Sequence, residues 1–507
     1  MLSSRVSLCL IVKNEEASLP TCLASVAHLV DEIVIVDTGS TDRTKEIAAG
    51  FGARVIDFAW THSFADARNE CLRHARGSWI FSIDADEYLD ELNRVKLRTV
   101  FENLEDDNLA YVFRIRCPLA PGRGPPVIAE QVRLLRTRLE HRWHYRVHEQ
   151  ILPALESTGA RILHTGIVFE HSGYQEAART RGKIERNLNL LLLDHQEQPE
   201  DPYVLFNLGW TYLDLGRAAE AFPLLRGSLE RAQASANYLP LLYGLQVRCL
   251  QQLGQEDEAL AMCQAGRARA PEDGRLLFQV GLLRRQRGDA SGAEASFREL
   301  LIRNPVSPRN RVSKSRRLLS RVEGLHGYLA RYHLALALSD QSRVSEAEAE
   351  WRAALEEQPD FVPAEIELAK LFLAQENREK EAEKALREVL ELDAGQLDCW
   401  RNLTRLLRNQ QRNADVVKIC FKGRQLFPDD QELLRLQGLA SYDLNDLAGA
   451  EACLVRWLET RPKAEESENQ NREKLGVVRH ALALVYQKQG RLAEAEAQGL
   501  AMVAENA

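Results

Sequence analysis

The carboxylates of Asp84 and Asp86 are the most informative feature of the chain, because they follow the apolar run Gly77–Ile83. Such a run predicts a buried β-strand, and side chains two residues apart share one face of a strand. Two carboxylates held this close repel each other unless a cation offsets their charge. Carboxylate oxygens suit a hard divalent cation that also holds a phosphate-bearing ligand. A solvated turn is the alternative, so the surrounding sequence has to decide.

Strand-like and helix-like patterns alternate between residues 5 and about 170. Strands are predicted at Val6–Val12, Glu32–Asp37, Arg54–Phe58, Ser78–Asp84, Ala110–Cys117, Gln131–Leu135 and Ile162–Phe169, and helices at Ser18–His28, Thr41–Gly50 and Phe64–Arg76. This alternation predicts a mostly parallel α/β sheet, in which ligands bind beyond the carboxyl ends of the strands. Glu15, Asp37 and Asp84 follow such ends, so we expect them to converge on one crevice.

From about Asp201 the sequence becomes helical and repetitive. Short turns recur around Gly216, Gly254, Gly288, Ser342, Asn377, Gln411, Asn445 and Gly490, and five positions after each central residue lies Ala221, Ala259, Ala293, Ala347, Ala382, Val416, Ala450 or Ala495. Small residues at fixed places allow two helices to pack closely. A period of about 34 residues with a turn between two amphipathic helices resembles the tetratricopeptide repeat.

Composition narrows the class of protein. A chain of 507 residues should hold two or more domains, and its net charge of −8 does not favour a nucleic-acid binder. The nine cysteines are scattered and none has Cys-X-X-Cys spacing, which predicts free thiols in a reducing compartment and argues against zinc. The apolar run Val6–Val12 is too short to span a membrane. We therefore expect a cytoplasmic protein without a transmembrane segment.

Four motifs follow one another in the first part of the chain. They are Cys9–Glu16 at the end of the first strand, Glu32–Asp42 at the end of the second, Phe64–Asn69 at the start of a helix, and Ile83–Glu87 at the end of the fourth strand. In this order they resemble a family 2 glycosyltransferase of the GT-A fold, over about residues 4–195. Tyr174–His195 followed by the repeats also resembles bacterial enzymes that fuse this catalytic domain to tetratricopeptide repeats.

The resemblance implies two domains. Residues 1–195 are expected to form an α/β GT-A domain, a Rossmann-like nucleotide-diphospho-sugar transferase that ends in a linking helix. Residues 196–507 are expected to form an all-α tetratricopeptide-repeat solenoid of about eight helix pairs.

The resemblance also implies a nucleotide-sugar site. Val12 and Glu15 would line the pocket for base and ribose, and Asp37 would accept a hydrogen bond from an imide N–H, which suits the uracil of a UDP-sugar. Many family members stack the base on an aromatic residue in the first loop, and this loop has none, so the base stays open. Asp37 could instead cap its own turn. Arg68 would bind the base carbonyl or the diphosphate, or else pair with Asp66 or Glu70 at the surface.

Metal and acid–base roles follow from the same resemblance. Asp86 matches the direct ligand of Mn²⁺ or Mg²⁺, and Asp84 matches the position that faces the ribose and the metal. His171 is in the place of a late metal ligand, with His164 as its rival; imidazole favours Mn²⁺. Glu149 is the candidate base, and His148 is the alternative.

Two aromatic residues precede Glu149 and His148. Trp143 and Tyr145 would either stack on a sugar face or pack in the core.

The predicted function is metal-dependent inverting transfer of a hexose from a nucleotide sugar. A repeat surface suits an extended peptide, so a protein or peptide held in the repeat groove is the expected acceptor. A cell-surface glycan or lipid-linked acceptor is the alternative, and a homodimer through the repeats is compatible with the sequence. A non-catalytic scaffold with a relic domain is the second hypothesis. A nucleotidyltransferase is the third, but it needs a glycine-rich phosphate loop that Lys13–Glu16 lacks.

Two insertions interrupt the repeats. Pro305–Gly327 is rich in arginine and lysine, and Lys463–Lys474 is polar and acidic. Each is interpreted as a solvated loop, with a docking patch for an acidic partner as the alternative for the first.

Overall fold

The computed structural model describes residues 6–104, 108–118, 126–171, 177–271, 273–303, 321–460 and 468–506. The chain forms two compact units, residues 1–330 and 331–507. The first unit holds the sheet and the first three helix pairs, and the second holds the later repeats. The domain boundary expected between residues 195 and 196 falls inside a helix that ends at Glu197, and it stays a prediction.

Within the described residues, the sheet of the first unit has nine strands. They are β1 (Val6–Val12), β2 (Glu32–Asp37), β3 (Arg54–Asp57), β4 (Trp79–Ser82), β5 (Glu87–Tyr88), β6 (Leu109–Cys117), β7 (Val127–Arg136), β8 (Arg161–His171) and β9 (Arg321–Val322). Their order is β3-β2-β1-β4-β7-β6-β8-β5, with β9 beside β7. The expected parallel pairing holds across β3, β2, β1 and β4. Beyond β4 the sheet is mixed, because β7 runs antiparallel to both β4 and β6.

Helices cover both faces of this sheet. They are α1 (Leu19–Val26), α2 (Thr44–Gly50), α3 (Phe64–His74), α4 (Glu91–Glu102), α5 (Leu152–Ser157) and α6 (Ala177–Glu197), with a 3₁₀ turn at Ala27–Leu29. Successive residues of β1 enter different cores because side chains of a strand alternate between faces. Leu8 and Leu10 pack in the core that contains α1, whereas Cys9 packs in the core that contains Cys71 of α3.

Within the described residues, sixteen further helices follow α6 as eight consecutive pairs; the division of residues 196–507 into about eight repeat pairs stays a prediction. The helices are α7 (Pro202–Asp214), α8 (Ala218–Arg231), α9 (Leu239–Gln252), α10 (Glu256–Arg269), α11 (Gly274–Gln286), α12 (Ala290–Ile302), α13 (Tyr328–Asp340), α14 (Val344–Glu357), α15 (Val362–Leu373), α16 (Glu379–Leu392), α17 (Leu397–Asn409), α18 (Asn413–Leu426), α19 (Gln431–Asp443), α20 (Leu447–Thr460), α21 (Glu468–Lys488) and α22 (Leu492–Asn506). All eight central turn residues have positive φ. Seven of the residues five positions later are fully buried, and Ala495 is partly buried.

The predictions for the cysteines, the membrane-spanning segment and the two insertions can be compared with the structure. All nine cysteines are free thiols, and all but Cys117 are buried. Within the described ranges, no helix is both long and apolar enough to cross a membrane. The basic cluster of the first insertion lies at residues 309–321, of which 309–320 fall outside the described residues, as do residues 463–467 of the second insertion.

Candidate functional site

Three carboxylates and two arginines meet near the carboxyl end of β4. Asp84 accepts hydrogen bonds from Arg68 (Nη2–Oδ1 2.7 Å) and from Arg133 (Nη2–Oδ2 2.9 Å). Arg68 also donates to Glu149 (Nε–Oε1 2.6 Å). Arg133 forms a second ion pair with Glu87, whose other oxygen accepts the backbone N–H of Asp84 at 3.1 Å. The two guanidinium groups thus connect residues that lie far apart along the chain.

Two elements bring the arginines to this point. Arg68 lies on the second turn of α3, whose first turn is capped by the Ser63 hydroxyl accepting the N–H of Asp66. Arg133 lies on β7, which is beside β4 with Phe81 opposite Leu134. The side chain of Arg68 is 8% exposed and that of Arg133 is 1% exposed.

Burial and charge act against each other in this cluster. Burial opposes ionisation of Asp84, but Arg133 and Arg68 outweigh it and hold the pKa of Asp84 well below its usual range. Burial raises the pKa of Glu87 to about 8. The positive charge of Arg133 acts to lower this pKa, and the negative charge of Asp84 acts to raise it further. Two guanidinium groups face three carboxylates, so the cluster retains one more proton near neutral pH than free carboxylates would.

Asp86 and His171 form a separate pair beyond this cluster. β5 pairs with β8 so that Glu87 lies opposite His171, and the Nε2 atom of His171 is 3.3 Å from Oδ2 of Asp86. Two adjacent ligands of an octahedral cation at about 2.1 Å lie about 3 Å apart, so this oxygen–nitrogen pair fits one side of a metal site. In the described part of the chain, no cluster of three or more His, Cys, Asp or Glu is arranged to hold a metal. Further ligands would therefore come from a bound diphosphate or water.

The other predicted metal ligands are engaged elsewhere. Both carboxylate oxygens of Asp84 accept hydrogen bonds from arginine. His164, the rival of His171, lies with its Nδ1 atom 3.6 Å from Glu130.

Asp37, Val12 and Glu15 lie at the ends of β1 and β2. One carboxylate oxygen of Asp37 accepts the N–H groups of Gly39 and Ser40 at 3.1 and 3.0 Å. The other oxygen, Oδ1, is buried and has no hydrogen-bond partner among the described residues. Asp37 therefore uses only one of its two carboxylate oxygens to cap its own turn. Val12 lies opposite Asp37 in the strand register, and the N–H of Glu15 donates to Thr44 at 2.7 Å.

A cavity of about 580 Å³ joins most of these side chains. Seven predicted residues line it: Glu15, Arg68, Asp84, Asp86, His148, Glu149 and His171. Val12 and Asp37 lie outside its lining, at the neighbouring strand ends. Trp143 also lines the cavity, with its ring 5.1 Å from the Arg68 guanidinium carbon, so this side chain is a cavity wall as well as part of the core.

The first two helix pairs supply the opposite wall. Tyr203, Phe206 and Trp210 of α7, together with Tyr238 beside the start of α9, line the same cavity. The Tyr203 hydroxyl donates to the backbone oxygen of His148 at 3.1 Å and accepts from Gln150 at 2.8 Å. The ring of Tyr145 packs against that of Tyr203, with centroids 4.9 Å apart and planes tilted by 44°, so Tyr145 contacts the first repeat. The loop that carries Glu149 is thus held by the first repeat.

His148 differs from Glu149 in its surroundings. It is a non-glycine residue with a positive φ of 54°, and its side chain is exposed at the cavity rim. Desolvation by the surrounding protein lowers the pKa of His148, and the nearby Glu149 opposes that change.

The sequence reasoning missed Arg133, Glu87 and the aromatic residues of the first repeat. Arg133 had a local signal, since it is a single charge within the apolar run Val132–Leu135. A charge inside a buried strand requires a partner. Its partners could not be named before the order of β4 and β7 was known.

Matches to known families follow the two parts of the chain. Residues 7–154 match the model described as glycosyl transferase family 2. Residues 202–235, 246–308 and 316–396 match tetratricopeptide-repeat models.

Curated relatives cover parts of the chain. A TPR repeat-containing protein of Synechococcus elongatus is 35% identical over 48% of this chain and 61% of its own length. The SPbeta prophage-derived glycosyltransferase SunS of Bacillus subtilis is 29% identical over 43% of this chain and 52% of its own length. An uncharacterized glycosyltransferase of Rickettsia bellii is 31% identical over 23% of this chain and 39% of its own length. The chain therefore spans less than two thirds of each of these relatives.

Proposed function

Because this chain carries a family 2 glycosyltransferase domain followed by tetratricopeptide repeats, we propose that it is a metal-dependent inverting glycosyltransferase. It moves a hexose from a UDP-sugar to a protein or peptide. One observation carries the proposal: Asp86, His171 and Glu149 face a single cavity that opens onto the first repeat. A metal-binding pair, a base and an acceptor surface are then within reach of one substrate.

The donor is assigned to the ends of β1, β2 and β4. Asp37 offers a buried, unpartnered oxygen to the imide N–H of uracil, next to Val12. Glu15 lines the cavity, and we assign it to the ribose. Asp86 and His171 would hold Mn²⁺ or Mg²⁺, which supplies Lewis-acid neutralisation of the departing diphosphate.

Glu149 is the proposed base. Its Oε1 atom is fixed by Arg68 at 2.6 Å, and its Oε2 atom has no hydrogen-bond partner among the described residues. A carboxylate held by one oxygen presents the other in a fixed direction, which suits removal of a proton from an acceptor. His148, which also lines the cavity, is the alternative base, and desolvation lowers its pKa.

The acceptor is assigned to the wall made by the first repeat. Phe206 and Tyr238 pack at a centroid distance of 4.8 Å, and Tyr203 joins Tyr238 at 5.4 Å. Aromatic rings with polar edges bind peptide side chains well. We propose a peptide segment here, with a glycan acceptor as the alternative. The free thiols suit a reducing compartment, so we place the reaction in the cytoplasm.

The test is hydrolysis of a panel of UDP-, GDP-, TDP- and CMP-sugars with Mn²⁺, comparing the wild type with Asp86→Ala. Loss of a charge-stabilising group should slow release of the nucleotide by about 100-fold or more. Asp214→Ala is the matched control, since Asp214 pairs with Arg248 on the repeats, outside the cavity lining. Its rate should equal that of the wild type.

Three outcomes contradict the proposal. If no sugar nucleotide turns over with any divalent metal, the scaffold hypothesis replaces it. If Asp86→Ala keeps the wild-type rate, the metal role is wrong. A product with retained anomeric configuration removes the role given to Glu149.

A further inference from the structure

We propose that Lys183 and Arg186 on α6 bind the diphosphate of the donor and of the departing nucleotide. These two residues are called the α6 cation pair. The inference rests on the proposed function and adds to it a second set of diphosphate ligands, contributed by the helix that joins the catalytic domain to the repeats.

The inner cations of the cavity are already committed to carboxylates. Arg68 pairs with Asp84 and Glu149, and Arg133 pairs with Asp84 and Glu87. At the far end, Arg275 pairs with Asp273, with Nη2 2.5 Å from Oδ2.

The α6 cation pair lines the same cavity without such a partner. Among the described residues, no carboxylate lies within ion-pair distance of Lys183 or Arg186. A diphosphate that enters this cavity brings at least two negative charges. Of the lysines and arginines in the described lining, only these two form no ion pair with a carboxylate; Glu149 acts on Arg186 electrostatically without a direct contact.

The orientation of Arg186 supports this role. Its guanidinium carbon lies 5.0 Å from the ring centroid of Phe64, so the flat face of the group is stacked. Its only side-chain acceptor among the described residues is the neighbouring Asn187, at 3.3 and 3.4 Å. A stacked guanidinium keeps its edge for a planar or tetrahedral anion.

The helix holds these groups in one direction. Lys183, Arg186 and Asn187 are spaced i, i+3 and i+4, which places them on one face, and all three line the cavity. One turn later, Leu190 and Leu191 are buried against Val147 and Leu208. The apolar anchor fixes the cations beside the loop that carries Glu149.

The proposed reaction builds up negative charge on the diphosphate, which cations stabilise. In the transfer, the acceptor atom forms a bond to the anomeric carbon as the bond from that carbon to the β-phosphate oxygen breaks. The electron pair of the broken bond stays on the phosphate oxygen, and the acceptor proton goes to Glu149. Negative charge therefore grows on the diphosphate, where fixed cations stabilise it.

Calorimetric titration of the full chain with inorganic pyrophosphate and Mn²⁺ tests the inference, because this probe carries neither base nor sugar. Lys183→Gln and Arg186→Gln should each weaken binding about fivefold, and the double variant tenfold or more, since partly exposed charge-assisted hydrogen bonds are lost. Arg186→Lys should recover part of the loss. Arg226→Gln is the matched control, because Arg226 lies on α8 outside the cavity lining, 3.5 Å from Glu230, and its affinity should stay within twofold.

Three results overturn the inference: wild-type affinity in the double variant, an equal loss in Arg226→Gln, or no pyrophosphate binding by the wild type. Circular dichroism confirms that each variant is folded. If Asp86→Ala abolishes binding and sugar-nucleotide hydrolysis while the double variant keeps both, the proposed function stands and this inference fails. If no sugar nucleotide turns over, the proposed function itself fails.

Discussion

The cavity end of the sheet and the helical repeats both contain arginine–carboxylate pairs, but in opposite surroundings. Arg133 and Glu87 are each 1% exposed and lie 46 positions apart in the sequence. Arg217 and Glu220, at the start of α8, are three positions apart and 42% and 53% exposed. The same spacing recurs at Arg343–Glu346 and Arg491–Glu494.

The difference separates two uses of one interaction. An exposed pair at a helix start is screened by water and adds little to stability. A buried pair between two strands has lost its water, so each partner depends on the other. We infer that an ion pair of the repeats can be removed with little loss of stability. The ion pairs near Asp84, in contrast, define the shape of the site.

Replacing Arg133 should give the largest effect. Arg133→Met removes the guanidinium that contacts both Asp84 and Glu87 and leaves the Asp84 carboxylate with Arg68 alone, and breaking a buried ion pair in this way costs about 3–5 kcal/mol of unfolding free energy. The measurement is denaturant unfolding of the full chain, followed by tryptophan fluorescence. Arg217→Met removes an exposed pair of the same type and should be indistinguishable from the wild type.

If Arg133→Met and Arg217→Met lose the same unfolding free energy, buried and exposed pairs do not differ as we infer. A small loss in Arg133→Met together with normal sugar-nucleotide hydrolysis would show that the network around Asp84 does not hold the site.

The pH dependence of stability should show a smaller effect from the same cluster. Glu87 has a pKa of about 8 in the folded protein and an unperturbed value of 4.5. Between these values the folded state binds more protons than the unfolded state, so its contribution is complete below pH 4.5 and is lost as the pH rises through about 8. From pH 6 to pH 8 the wild type should lose roughly 2 kcal/mol of unfolding free energy through this group. Asp84 acts in the opposite direction, because its lowered pKa costs stability only on acidification.

Glu87→Gln removes the titrating group. The unfolding free energy of this variant should change less between pH 6 and pH 8 than that of the wild type, whatever the variant's absolute stability. Glu220→Gln, in an exposed pair of the repeats, should keep the wild-type slope. A wild-type profile that rises over this range would contradict the assignment of the retained proton to Glu87.

The repeats were predictable from the sequence because their information is local. Each turn, its small residue five positions later and the two flanking helices lie within one repeat. The periodic pattern therefore identified all eight turns, including those at Asn377 and Gln411, where no glycine marks the position.

The site was predictable only in part. The strand ends placed Glu15, Asp37, Asp84 and Asp86 at one crevice, and the family resemblance added Arg68 and Glu149. All of these except Asp37 line one cavity in the structure. That Arg68 contacts both Asp84 and Glu149 depends on how α3, β4 and the later loop pack, which no local pattern encodes. Arg133 needed the antiparallel placement of β7 beside β4. The catalytic and metal roles of these residues stay predictions.

The smallest effect concerns the repeat turns, where backbone conformation rather than charge is decisive. Gly216 has a φ of 75°, and a Cβ added there meets nothing within 4 Å, so substitution tests the backbone alone. Gly216→Ala should cost about 1 kcal/mol, Gly216→Asn less and Gly216→Val more, because asparagine tolerates the left-handed region and β-branched residues do not. Asparagine already occupies this place in the turns at Asn377 and Asn445, with φ of 64° and 60°. Denaturant unfolding measures the order of stability of the three Gly216 variants. A valine variant as stable as the asparagine variant would refute the backbone argument.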